Sequence, residues 1–135
     1  MSGYSQSPRI VKGGIVLVDP PFEVYHEFFN ILTALKEGHK RFATGTFLLW
    51  YPVKHRKGVA EFREELKALK IPRILDTSLE VRSSGADVRF DGSGMIVVNP
   101  PWTLRPNMES TLPDLLDRLQ LDSSAHLRIE QLAEE

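Results

Sequence analysis

Four apolar residues in a row, Ile15-Val16-Leu17-Val18, stand between Gly13-Gly14 and Asp19-Pro20-Pro21. A short, mostly β-branched run bounded by glycine and proline reads as a strand buried on both faces. A diproline cannot continue a ladder, so the strand stops at Asp19. From Glu23 the period changes: Val24, Phe28, Ile31, Leu32 and Leu35 fall on one face of a helix, with Glu23 and Glu27 early, Lys36 late and Gly38 as the expected stop. A doubly buried strand followed at once by an amphipathic helix is the opening of an α/β sheet. Its next strand is expected to be parallel, reached by a right-handed crossover.

The rest of the chain repeats the theme. Residues 39–45 read as a basic connector, and Thr46–Tyr51 as a second buried strand ended by Pro52. Val59, Phe62, Leu66 and Leu69 define a helix over about 55–70, closed by Pro72. Strands are expected at 73–82 and 94–98, a polar turn at 83–92 and a helix at 112–121, while residues 125–135 fit a short strand or a frayed helix. The two strands joined by the polar turn are expected to be antiparallel. Residues 1–12, Ser-rich with Pro8, read as a flexible lead-in to a single domain over 13–135.

Composition narrows the chemistry. The 135 residues include no cysteine, which removes disulfide frameworks, thiol nucleophiles and thiolate metal sites. His26, His39, His55 and His126 have no partners at metal-ligand spacing, so no metal is expected. No apolar run approaches the roughly 20 residues that span a bilayer, and no apolar leader opens the chain. A cytoplasmic protein with no membrane contact is expected. Residues 1–72 carry 11 basic and 7 acidic side chains and residues 73–135 carry 6 and 11, so the chain is polarised about a net charge of −1. Such polarity can present a basic face to nucleic acid, and it also fits an unevenly charged surface. The clusters Lys36, His39, Lys40, Arg41 and Lys54, His55, Arg56, Lys57 bracket the second strand; phosphate contacts and helix-end charges account for them equally well. Trp50 and Tyr51 read as core, with Tyr51 a candidate for the neighbourhood of a base.

Asp19-Pro20-Pro21-Phe22 directly follows a buried strand, where ligands of open α/β sheets bind. An exocyclic amino group on a base has two N–H donors and a lone pair delocalised into the ring. A carboxylate oxygen and a proline carbonyl can accept one N–H each. Paired acceptors localise the lone pair on nitrogen and ready it for an electrophilic methyl group. The diproline preorganises both acceptors, and the aromatic ring offers a stacking platform worth about 1–3 kcal/mol. Asn99-Pro100-Pro101-Trp102 repeats the pattern, but its strand is expected to run the other way. That puts its diproline at the opposite rim, with a structural or supporting role.

The chain resembles the bacterial ribosomal RNA large-subunit methyltransferase J (RlmJ) family. The resemblance rests on the strand-Asp19-Pro20-Pro21-Phe22-Glu23 segment, on Lys36-Glu37-Gly38-His39-Lys40-Arg41-Phe42-Ala43-Thr44-Gly45-Thr46 with Leu49-Trp50-Tyr51-Pro52, and on Ser93 to Trp102. It runs from about Gly14 to about Leu121 and matches only the C-terminal half of proteins about twice as long. It implies a Rossmann-like class I methyltransferase sheet, C-terminal half only, with parallel strands and helical crossovers and then an antiparallel terminal pair. The implied reaction moves a methyl group from S-adenosylmethionine to an adenine N6 of 23S ribosomal RNA. By resemblance Asp19 is the catalytic carboxylate and lies beside the cofactor, Pro20, Pro21 and Phe22 complete the site, and Phe22, Lys40 and Arg41 meet the RNA. The family usually has tyrosine where Phe22 stands. The main cofactor loop belongs to the other half. The sequence also admits a catalytically silent α/β remnant that binds RNA or a protein partner, and self-association through an exposed sheet edge.

Overall fold

The computed structural model describes residues 14–19, 27–54, 56–82 and 91–134. The chain forms β1 (Ile15–Val18), α1 (Glu27–Arg41), β2 (Thr46–Val53), α2 (Arg56–Ala68), β3 (Ile74–Glu80), β4 (Gly92–Val98), α3 (Leu104–Leu119) and β5 (His126–Ala133). The five strands make one sheet in the order β1-β2-β4-β3-β5. β1 is parallel to β2, with Ile15 opposite Thr46 and Val18 opposite Leu49. The expected parallel crossover and the expected antiparallel pairing of β3 with β4 are both present. β4 enters between β2 and β3 and runs antiparallel to both, so β2 and β3 share a direction without touching.

Strand alternation sorts the side chains onto two faces. Phe47, Leu49, Tyr51 and Val53 of β2 pack with Ile74, Ile96 and Val98 beneath Ile31, Leu32 and Leu35 of α1 and Val59, Phe62 and Leu66 of α2. This is the main core. Leu75 and Val97 are buried on the other face, outside that cluster. The same outer face carries Ile15 and Leu17 of β1, which are 72% and 59% exposed. β1 ends the sheet, and among the described residues its outer edge has no strand partner.

Three boundaries differ from the sequence reading, each for a physical reason, while the tail takes the strand form of its two expected alternatives. α1 runs through Gly38 to Arg41 instead of stopping. A Cβ at residue 38 would stand 3.0 Å from the Phe47 ring, so the glycine lets the helix pass close over β2. β2 continues through Pro52 to Val53. The carbonyl of Val53 accepts from Asp91 N–H on the β4 side, so the Pro52 nitrogen faces away from β4, beyond the end of β1, where no ladder bond is lost. α3 starts at Leu104, eight residues before the expected Leu112. Pro106 falls in its first turn, where an amide has no intrahelical partner, so it does not break the helix. The tail forms β5, paired antiparallel with β3.

A charged network lies within the core. Tyr51 Oη donates to Asp76 Oδ1 at 2.5 Å, Arg63 Nε donates to Asp76 Oδ2 at 2.7 Å, and Arg63 Nη2 reaches Tyr51 Oη at 3.3 Å. Arg128 Nε lies 3.5 Å from the same Asp76 oxygen. Burial, reinforced by the Asp76 charge, pushes the Tyr51 phenol well above its ordinary value. Burial opposes the Arg63 charge, but Tyr51 and Asp76 outweigh it and the guanidinium pKa is raised. Tyr51 is therefore a core residue tying β2 to β3 and α2.

Candidate active site

Asp19 is exposed one residue past β1, at the carboxyl end of the strand. By alternation it shares the outer face with Leu17. The two residues line an open depression of about 380 Å³ together with Trp50 of β2 and Met95 of β4, which stand opposite each other in the β2–β4 ladder. The depression thus has one carboxylate and three apolar walls. Trp50 and Met95 were not singled out as site residues from sequence. The signal was available for Trp50: it follows Leu49, the partner of Val18, so it stands beside Asp19 and on the Leu17 face. Tyr51 points the other way and takes no part in the depression. Pro20, Pro21 and Phe22 lie outside the described residues.

Lys40 and Arg41 are exposed at the end of α1, five residues or so before Thr46. Thr46 pairs with Ile15, and its N–H donates to Gly14 O at 2.8 Å. The two cations therefore sit at the amino-terminal rim of β1, roughly 16 Å from Asp19 along a strand rising about 3.3 Å per residue. The structure does not bring them to the Asp19 depression.

Asn99 lies at that same far rim, one residue past the Val98–Phe47 pair. Its side-chain amide donates to Ala43 O at 2.8 Å and Gly45 O at 3.1 Å, while its Oδ1 accepts from Arg73 Nε at 2.8 Å. Its N–H donates to Arg73 O at 2.9 Å, and its carbonyl accepts from Thr46 Oγ1 at 2.8 Å. The second Pro-Pro motif is thus anchored structurally, as its opposite strand direction requires. Nearby His39 is held below the ordinary histidine value by burial and by the Arg73 charge.

Gly92-Ser93-Gly94 belongs to β4 and serves packing. A Cβ at Gly92 would collide with the Leu79 backbone, and one at Gly94 with the Tyr51 ring. Among the described residues no group of three or more His, Asp or Glu could hold a metal ion. No helix among them is long and apolar enough to cross a membrane.

The overall fold of this chain is shared with a crystal structure of a Legionella pneumophila protein. The TM-score is 0.79 at 24% identity, covering 89% of this chain and 44% of that one. The family model described as "Ribosomal RNA large subunit methyltransferase D, RlmJ" matches residues 3–132, and the chain belongs to this family. It is 38% identical over 128 residues to the ribosomal RNA large subunit methyltransferase J of Haemophilus influenzae and 35% identical to that of Escherichia coli K12. Each match covers 95% of this chain and 46% of the relative, so the chain spans just under half the length of either.

Proposed function

We propose that this chain is the C-terminal half of a Rossmann-like class I methyltransferase sheet that methylates an adenine N6 in 23S ribosomal RNA, using S-adenosylmethionine. The observation that carries the reading is Asp19 itself: a carboxylate at the carboxyl end of the parallel strand β1, opening onto the outer face beside Leu17, Trp50 and Met95. The family membership supplies the reaction class. A strand order in which β4 runs antiparallel between β2 and β3, with β1 left as an open edge, supports the reading of a half-sheet.

S-adenosylmethionine carries a sulfonium cation, and the Asp19 carboxylate above an apolar floor fits one side of such a group; the cofactor supplies the electrophilic methyl. The described residues offer no glycine-rich turn between strand and helix for the rest of it, so the remaining contacts are assigned to the other half of the family's length. Asp19 accepts one N–H of the adenine amino group and the Pro20 carbonyl accepts the other. Pro21 holds the turn and Phe22 stacks on the base. Two acceptors concentrate the lone pair on N6, which would form the new bond to the methyl carbon as the carbon–sulfur bond breaks and its electron pair stays on sulfur, leaving a neutral thioether. The amino nitrogen then carries a positive charge and loses a proton to water, so Asp19 acts as an acceptor and orienting group without serving as a strong base.

The test is methyl transfer to unmodified 23S ribosomal RNA by the chain, alone and with the N-terminal half of a relative supplied. Activity in the complemented sample is expected, falling about 10²–10³-fold in Asp19→Ala with the fold intact. Retention of more than a few per cent of the activity would remove Asp19 from the reaction. If complemented samples transfer no methyl group while the chain still binds RNA, the silent α/β remnant is the better description.

A further inference from the structure

Trp102 is 89% exposed at the end of Asn99-Pro100-Pro101. An indole on open surface is a poor use of a large apolar ring unless something packs on it. Its mounting is rigid. The diproline fixes two φ angles, and Asn99 is anchored to Ala43, Gly45, Arg73 and Thr46 by the five hydrogen bonds described above. The described non-glycine residues with positive φ are Lys70 (60°), Arg73 (56°) and Asn99 (58°), and all three gather at this rim.

The surroundings are cationic. Lys40 and Arg41 lie two to three residues from Ala43, which accepts from Asn99, and Lys70 lies three residues before Arg73. Burial first, and then the Arg73 charge, lower the pKa of His39 at this rim. α3 begins two residues after Trp102 with no acid in its first turn. Arg105 is offset by Glu109 at 3.6 Å, and Glu134 reaches Arg73 through its backbone carbonyl. An exposed, preorganised aromatic ring at the same rim as several cations is a physical pattern suited to a single-stranded nucleic-acid platform: bases stack on the ring while the cations follow the phosphates.

We propose that the rim built from Trp102, Lys40, Arg41 and Lys70 is a second RNA-contact surface, which binds single-stranded RNA on the side of the sheet opposite Asp19. Trp102 stacks on a base and the lysines and arginine take phosphates. The proposal takes its ligand class from the RNA-substrate reading, but it needs no chemistry at Asp19. It places this contact a strand's length away from the reacting adenine, where it would position the substrate.

The test is an anisotropy titration of the chain with a fluorescein-labelled single-stranded RNA of about 12 nucleotides over a range of salt concentrations. Trp102→Ala is expected to raise Kd about 5–100-fold, with Trp102→Phe retaining most of the affinity. The double variant Lys40→Ala/Arg41→Ala is expected to flatten the slope of log K against log salt by roughly 1.4, two phosphates' worth for a single strand. An abasic version of the RNA keeps its phosphates and should bind the parent chain as weakly as intact RNA binds Trp102→Ala. An unchanged melting temperature in Trp102→Ala, expected from its exposure, separates stacking from folding. A parental Kd in Trp102→Ala, a parental salt slope in Lys40→Ala/Arg41→Ala, or equal binding of abasic and intact RNA, would overturn the proposal. Methyl transfer and this Kd are separate readouts, so failure of either reading leaves the other standing.

Discussion

Tyr51 and Asp76 meet inside the core, the phenol donating to the carboxylate at 2.5 Å with neither side chain exposed to solvent. They lie on strands separated by β4, so their bond reaches across the sheet over Gly94. Asp76 also holds Arg63 of α2 and faces Arg128 of β5. Asp76→Ala would leave the part-buried Arg63 guanidinium and the buried Tyr51 hydroxyl without their shared acceptor, and a destabilisation of about 3–5 kcal/mol is expected. Tyr51→Phe loses one hydrogen bond to a charged acceptor and should cost about 1.5–3 kcal/mol. Denaturant unfolding of both variants measures the two effects, and a smaller cost for Asp76→Ala than for Tyr51→Phe would show that the carboxylate is not the hub.

Gly94 lies directly opposite Tyr51 in the ladder, and its missing side chain is the space the ring occupies. The ring cannot swing aside without giving up Asp76. Gly94→Ala is therefore expected to cost about 3 kcal/mol or more, the upper end of the overpacking range or beyond it. The cost should shrink in a Tyr51→Ala background, where the space is empty. A full double-mutant cycle checks this, and additive costs would mean that the glycine is needed for backbone conformation instead.

Phe22 is assigned a stacking face with no use for a hydroxyl. Phe22→Tyr should be nearly neutral in single-turnover methylation by the complemented enzyme, while Phe22→Ala should lose about 5–100-fold. Equal rates for Ala and Phe would assign the ring to packing alone.

The outer edge of β1 and the exposed Ile15 and Leu17 together make a surface suited to pairing with another strand. The edge carries no lysine and no internal proline. The chain on its own is expected to self-associate, most simply as a two-fold dimer joining β1 to its copy. Leu17→Lys should shift it towards monomer, and supplying the complementary half should do the same by occupying the edge. Light scattering over a dilution series reads the outcome. A clean monomer of the parent chain at high concentration would mean that the edge is covered.

Sequence alone was enough for the alternation of strand and helix, because buried strands and amphipathic helices write their periods directly into the order of residues. The apolar face from Ile31 to Leu35 was legible in this way, and so was Ile15–Val18 between Gly-Gly and Asp-Pro-Pro as a strand, although the expected burial on both faces is corrected: β1 is an edge strand whose Ile15 and Leu17 are exposed on the outer face. So was the direction of the strand before Asn99, which separates Asn99 from Asp19 onto opposite rims. Features that depend on a neighbour distant in sequence were not legible. Gly38 reads as a helix stop, yet it is a clearance for Phe47; Pro52 reads as a strand end, yet its nitrogen faces a side with no ladder. No local signal places β4 between β2 and β3, since strand order is decided by which apolar faces can be buried together. The same holds for the separation of Lys40 and Arg41 from Asp19. Their basic character is visible in the sequence, but α1 runs back along the sheet and delivers them to the far rim, beside the anchored Asn99 and the exposed Trp102.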